Sequence, residues 1–307
     1  MNRLRDTLLT AVVPVVWGTT YIVTTEFLPP DHPLFASLIR ALPAGLIAII
    51  LTRRLPRGSW WWKSAVLGVL NIGAFFPLLF ITAYHLPGGV AATLGAGQPL
   101  VVAILVVFVL REQFSAWRFS WGVVGVIGVA LVVLRSTANL DTVGVIAGLL
   151  GTVSMGTGVT LTKKWGRAAG VPAMALAGWQ LTAGGLFLLP VTLLLEGAPS
   201  DIDASALAGY AWLGLIGGLF TYTLWFRGIG RLPVASVAVL GLLSPLVAAT
   251  LGALLLGEIL SLAQMLGFAL ALTAIAASQI TPTRKAPTNT TTSVAEPPMA
   301  PRQKRRT

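Results

Sequence analysis

Arg40 is the one charged side chain set well inside an apolar run of this chain, about seven residues into the stretch 33–52. Placing an arginine at the centre of a membrane helix costs roughly 2.5–3.5 kcal/mol, so its guanidinium must face protein or water and find a partner. Two roles satisfy that demand. The cation is either a counter-charge for a substrate carboxylate or a tether to backbone carbonyls of neighbouring helices. Gln180 holds the corresponding place in a second, repeated half, and its amide either bridges two helices or reads a ligand. Trp17, Tyr21, Asn71, Tyr84, Trp179 and Tyr222 also lie within apolar runs. Such aromatic and amide groups give an amphipathic solute stacking faces and hydrogen bonds, or they pack the interior. Gln98 and Ser244 directly precede Pro99 and Pro245, where a missing amide donor frees a carbonyl from the helical ladder. In lipid such a defect survives where protein or a water-filled cavity satisfies it, so these two polar groups are expected on cavity walls, with packing kinks as the other reading.

The remaining chemistry is sparse. There is no cysteine, no H-E-x-x-H, no G-x-S-x-G and no carboxylate deep in an apolar run. An intramembrane enzyme and a buried-carboxylate proton antiporter are therefore not expected. His32 and His85 are the only histidines, and neither has a second histidine or a carboxylate at ligand spacing, so no metal or cofactor is expected.

These side chains must be positioned by membrane helices. Hydrophobic residues make up 55% of the chain and charged ones 10%, well under the ~25% of a soluble domain. Apolar runs long enough to cross ~30 Å of hydrocarbon fall at 7–27, 33–52, 64–84, 88–110, 117–134, 142–162, 172–194, 206–226, 232–256 and 261–280. When these ten spans are threaded from a cytoplasmic N-terminus, every Lys and Arg except Arg40 and Arg135 falls on the cytoplasmic side. Glu26, Asp31, Asp141, Glu196, Asp201, Asp203 and Glu258 fall opposite. Retention of basic residues sets topology, so the net charge of +11 reports orientation and calls for no nucleic acid. The basic N-terminus leads into a run too long for a signal-peptide core and reads as the first span.

The spans repeat. Leu86-Pro87 recurs as Leu232-Pro233, Leu94-Gly95 as Leu240-Gly241, Pro99-Leu100-Val101 as Pro245-Leu246-Val247, and Glu112 as Glu258, each 146 residues on. Earlier matches, Ala44-Gly45-Leu46 with Gly184-Gly185-Leu186 and Gly18-Thr19 with Gly156-Thr157, have offsets of 140 and 138. Five spans per copy is odd, so the second copy enters the bilayer from the opposite face. The loops agree, since Arg53, Arg54, Arg57 and Lys63 in one correspond to Glu196, Asp201 and Asp203 in the other. The expected fold is thus an all-α membrane protein of ten transmembrane helices in two inverted five-helix repeats, 7–134 and 142–280. A disordered basic cytoplasmic tail, 281–307, follows.

Smaller features read structurally. Trp60, Trp61, Trp62, Trp117, Trp121, Trp165, Trp212 and Trp225 sit near span ends and are expected as headgroup anchors. Glu112 and Glu258 lie three residues before Ser115 and Ser261, where a carboxylate complements a helix N-terminus and the serine caps it. Glycine series at 122/125/128, 144/148/151 and 214/218 permit close helix approach, and the first offers a surface for a homodimer.

Trp17-Gly18, Arg40, Trp179-Gln180 and a proline thirteen residues before a glutamate in each half together resemble the EamA family of the drug/metabolite transporter superfamily. The resemblance covers nearly all of the membrane portion. This chain departs from the family in having Arg111 where a glycine often precedes the first-half glutamate, and Met155 where tryptophan is frequent. The resemblance implies ten helices around a central cavity and export or exchange of small metabolites, amino acids or toxic compounds. The expected protein is an inner-membrane secondary transporter exporting small organic metabolites by alternating access, with lipid and a small-molecule substrate as partners. A channel or membrane scaffold is the rival reading.

Overall fold

The structure is a computed structural model that describes residues 3–86, 93–133, 141–256 and 261–280. Pro87, Arg135, Glu258 and the tail 281–307 lie outside the described residues, as do the side chains of Tyr21 and Tyr84. Every regular element described is helical. Helix α1 runs Arg3–Gly18 and resumes as Thr20–Phe27, α2 is Pro33–Thr52, and α3 is built from Trp60–Gly68, a π-helical turn Val69–Gly73, and Phe75–His85. Helix α4 is Thr93–Leu110, α5 is Ala116–Val133, α6 is Thr142–Trp165 and α7 is Ala173–Leu195. Helix α8 joins Ala204–Ala211, a π-helical stretch Trp212–Phe220 and Thr221–Arg231, α9 joins Val234–Leu240 to Leu243–Leu256, and α10 is Leu262–Gln279. Nine of these are long and apolar enough to cross a bilayer, and the shorter apolar Ala116–Val132 segment of α5 completes the ten.

Three expected boundaries shift by four residues or more, and one of them is the end of α8, at Arg231 rather than 226. Helix α1 begins at Arg3 rather than 7, which brings Asp6 into it, because Arg227 and Arg231 of α8 neutralise that carboxylate at 2.6 and 3.2 Å. Helix α3 begins at Trp60 rather than 64, so the tryptophan triplet forms its first turn. There Lys63 Nζ lies 5.3 Å from the Trp60 ring and 5.8 Å from the Trp62 ring.

The inverted repeat is visible in the packing. Helix α1 lies against α8 and α9, as α6 lies against α3 and α4, while α2 pairs with α7 and α5 with α10 across the pseudo-symmetry axis. Two lobes result, α1/α8/α9 and α3/α4/α6. A detailed mirror relation ties them. Thr10 of α1 fills the space over Gly228 of α8, and at the related positions Gly148 of α6 faces Thr82 of α3, where a Cβ would meet Thr82 Cγ2 at 3.1 Å. The threonine and the glycine have exchanged helices, but the close crossing is kept.

Without a hydrophobic drive between helices in lipid, small residues hold the pairs together. A Cβ on Gly178 of α7 would lie 2.6 Å from Ala48 Cβ of α2, and one on Gly128 of α5 would lie 2.6 Å from the Ala271 amide of α10. The 122/125/128 series faces Leu100, Leu242 and Ala271 of the same chain, so that face is occupied internally. Helix starts are capped as the serine spacing predicts. Ser115 Oγ accepts from the Arg118 amide, and Ser261 forms a capping box with Gln264. Asp141 and Asp203 likewise cap α6 and α8.

Candidate functional site

The repeat places π-helical turns in both α3 and α8, and each leaves its helix ladder irregular near mid-span. In α3 the Ala74 amide reaches back five residues to the Val69 carbonyl at 2.7 Å. Such insertions are rare and concentrate at functional sites. In α8 the carbonyl of Gly217 receives three donors: Trp17 Nε1 at 3.1 Å, Arg40 Nη2 at 3.1 Å and Thr221 Oγ1 at 2.7 Å. Arg40 is therefore tethered to a backbone carbonyl, and its guanidinium carbon also stands 5.1 Å from the centre of the Phe76 ring. Trp17 completes the wall, packing 5.3 Å from Tyr222 and 5.1 Å from Trp225, with Tyr222 5.6 Å from Phe226.

Asn71, 146 residues before Gly217, occupies the α3 turn, and Gln180 takes the place that Arg40 has in the other half. They meet: Asn71 Nδ2 donates to Gln180 Oε1 at 2.7 Å and approaches Thr162 Oγ1 at 3.4 Å. Both amides are fully buried. Yet Asn71 Oδ1 and Gln180 Nε2 have no hydrogen-bond partner among the described residues, and neither does Trp225 Nε1. Each such buried group costs about 1–3 kcal/mol unless something pairs with it. An acceptor and two donors left open around aromatic walls are what a polar, partly apolar solute would satisfy.

The structure thus brings five of the proposed site residues into two related stations. Trp17, Arg40 and Tyr222 form one, and Asn71 and Gln180 form the other. Gln98 opens the second segment of α4, half-buried, with its Nε2 unpaired among the described residues. Ser244 stands beside the break in α1, where its carbonyl lies 2.8 Å from the position a Gly18 Cβ would take. Neither makes a described contact with the two stations. Trp179 is buried, and its Nε1 donates to the Arg54 carbonyl at 2.7 Å, which fixes the loop after α2. Trp225 corrects an expectation. It is 1% exposed and belongs to the core rather than to a headgroup belt, because Trp17 and the surrounding core pack against its ring.

Sequence reasoning passed over Gly217, Thr221, Thr162 and Phe76. The repeat offered one signal, since Gly217 is the counterpart of Asn71. The matched glycines Gly95 and Gly241 mark the broken helices α4 and α9. A Cβ on Gly95 would meet nothing within 4 Å, and one on Gly241 would meet only the Ala238 carbonyl of its own turn. Among the described residues, no group of three His, Asp or Glu side chains gathers to hold a metal.

Comparison with known proteins adds context. The EamA-like transporter family matches residues 6–134 and again 142–278. Protein PecM of Dickeya dadantii is 48% identical over 83% of this chain and 85% of its own. A probable amino-acid metabolite efflux pump of Salmonella typhimurium is 28% identical over 87% of this chain and 92% of its own. A crystal structure covering 90% of this chain and 97% of its own superposes with a TM-score of 0.73 at 20% identity, a likeness of fold.

Proposed function

The chain belongs to the EamA-like transporter family, and on that premise we propose that it exports small organic metabolites across the bacterial inner membrane by alternating access. The basic face, with Arg53, Arg54, Arg57, Lys163, Lys164 and Arg167, is the cytoplasmic one, because lysine and arginine are retained there. Both described ends of the membrane domain, Arg3 and Ile280, then face the cytoplasm.

One observation carries the reading of the substrate. A guanidinium tethered to a backbone carbonyl stands over an aromatic wall, and its repeat-related counterpart is an amide pair with an acceptor and a donor unpaired among the described residues. A solute with a carboxylate, a hydrogen-bonding group and an apolar body fits both stations. In the acidic half of the bilayer Arg40 takes the carboxylate. Toward the basic half, Asn71 and Gln180 read the polar group while Trp17, Tyr222 and Phe76 face the apolar part. Gln98 and Ser244 line the approach along α4 and α9. The name of the Salmonella relative makes amino-acid metabolites the first solutes to try.

The two lobes rock about this seam, which is the usual use of inverted repeats around a midplane site. Metabolite profiling of media from cells with and without the gene tests the proposal. Export predicts a defined set of amphipathic acids enriched outside expressing cells, and identical profiles would overturn it.

A further inference from the structure

The seam between the lobes is closed on its basic side. There α4 packs against the first segment of α9, and α6 against the last segment of α8. Among the described residues a hydrogen bond crosses at this level: Lys163 Nζ of α6 donates to the Leu232 carbonyl at the α8–α9 corner, 2.9 Å away. That carbonyl is spare for a specific reason. The Leu232 amide ends α8 on the Gly228 carbonyl, whereas the first turn of α9 starts its ladder at the Pro233 carbonyl, to which Ser236 and Val237 donate. The corner therefore offers an unused acceptor, and a half-buried lysine from the opposite lobe takes it.

Beside this bond a cavity of about 500 Å³ opens on the basic face, lined by Thr162, Arg167, Val171, Leu176, Phe226 and Gly230. Its lining includes the outer layer of the candidate site. Thr162 is the hydroxyl that Asn71 approaches, and Phe226 packs against Tyr222. The path from the basic face thus ends against the two helices, α6 and α8, that the lysine ties together.

We propose that Lys163 is the latch of the basic-side gate, its bond to the Leu232 carbonyl holding α6 against the α8–α9 corner and separating this vestibule from the aromatic and amide stations. The device is one-sided. The positions related to Lys163 and Leu232 by the repeat are Thr25 and Leu86, so the opposite face has no lysine at the matching place. Inverted repeats by themselves make the two closed states equivalent, and a cation present at one gate alone biases the resting protein toward closure on that side. Glu112, at the basic end of α4, belongs to the same lobe as Lys163 and so does not bridge the seam.

The chain has no cysteine, so a single introduced thiol reports without background. Val159→Cys places one about a turn deeper on α6, at a position with 0% exposure. Inverted membrane vesicles present the basic face to a membrane-impermeant sulfonated maleimide. Adding Lys163→Met should speed labelling about tenfold, the shift expected for losing one charge-assisted hydrogen bond. Lys163→Arg should restore slow labelling, and Lys164→Met, which removes an equal charge from an exposed neighbour, should leave it slow. Equal labelling rates in the Lys163→Met and Lys164→Met chains would overturn the latch. Where Lys163→Met is lost from the membrane, Lys163→Gln carries the test by the same criterion. The latch rests on the carrier reading for its purpose only: faster labelling in a protein that moves no solute would leave the latch standing and the carrier reading in error.

Discussion

Arg40 donates to the carbonyl of Gly217 at 3.1 Å, and the pair that the internal repeat relates to them, Gln180 and Asn71, is joined at 2.7 Å. One ancestral contact between the second helix of one repeat and the third helix of the other has become a cation on a backbone carbonyl on one side of the seam and an amide on an amide on the other. The divergence gives a symmetric frame two chemically different stations.

The cation station predicts a selective loss. Arg40→Gln should lower transport of carboxylate-bearing solutes roughly tenfold to a hundredfold, the worth of one hydrogen bond to a charged group. The protein should remain folded by size-exclusion chromatography, since an amide still reaches for the Gly217 carbonyl. Arg40→Lys should fall between. Collapse of the folded protein in both variants would assign Arg40 to structure alone.

At the amide station, removing one partner strands the other. Asn71→Ala and Gln180→Ala should each destabilise the protein by about 1–3 kcal/mol in reversible unfolding, while the double variant should cost less than the two together. Replacing both by leucine should recover much of the stability without recovering transport. Strict additivity would mean that the two side chains do not act as a pair.

The two glycine environments predict opposite responses. Gly228→Ala drives a methyl into Thr10 and should destabilise by about 1–3 kcal/mol, whereas Gly95→Ala meets open space and should leave stability within about 0.5 kcal/mol of the parent. Thermal melts of the two variants in the same detergent compare them directly. An equal loss in both would show that the α1–α8 crossing is not as tight as described.

On the acidic face, the Gly144 amide beside Asp141 holds its carboxyl below the usual carboxylate range, with His85 3.2 Å away adding to the effect, and the Ala206 amide does the same for Asp203. A carboxyl whose folded pKa is depressed contributes stability above its unfolded value, near 3.8, and loses it as pH falls through the lower folded value. Asp141→Asn and Asp203→Asn should therefore lower Tm at pH 7, by an amount that shrinks steadily below about pH 4. A deficit that stays constant down to pH 3 would remove the charged cap from the explanation.

Much of this architecture was legible because hydropathy and loop charge are periodic along the chain. The runs at 33–52 and 142–162 became α2 and α6 with little change, and Pro99 and Pro245 foretold the broken α4 and α9. What was not legible depends on contacts between distant segments. Asp6 looked like a pre-membrane residue until Arg227 and Arg231, over 200 residues away, drew it into α1. Trp225 looked like a belt residue because its distance from a span end says nothing about Trp17 packing against its ring. The π-helical turns carry no compositional mark, so the role of the Gly217 carbonyl as a common acceptor could not be read from its residue type. Arg40 was identified as needing a partner by cost alone, but only the folded chain names that partner.

Loading purified protein into liposomes with an isotope-labelled extract of bacterial metabolites, and following efflux by mass spectrometry, tests the carrier account most directly. The account predicts that a small set of amphipathic acids leaves protein-bearing vesicles at a saturable rate. Unlabelled solute of the same kind outside should accelerate that efflux, and Arg40→Gln should abolish the acceleration. Efflux that rises in proportion to concentration without such acceleration, or that matches protein-free vesicles, would contradict it.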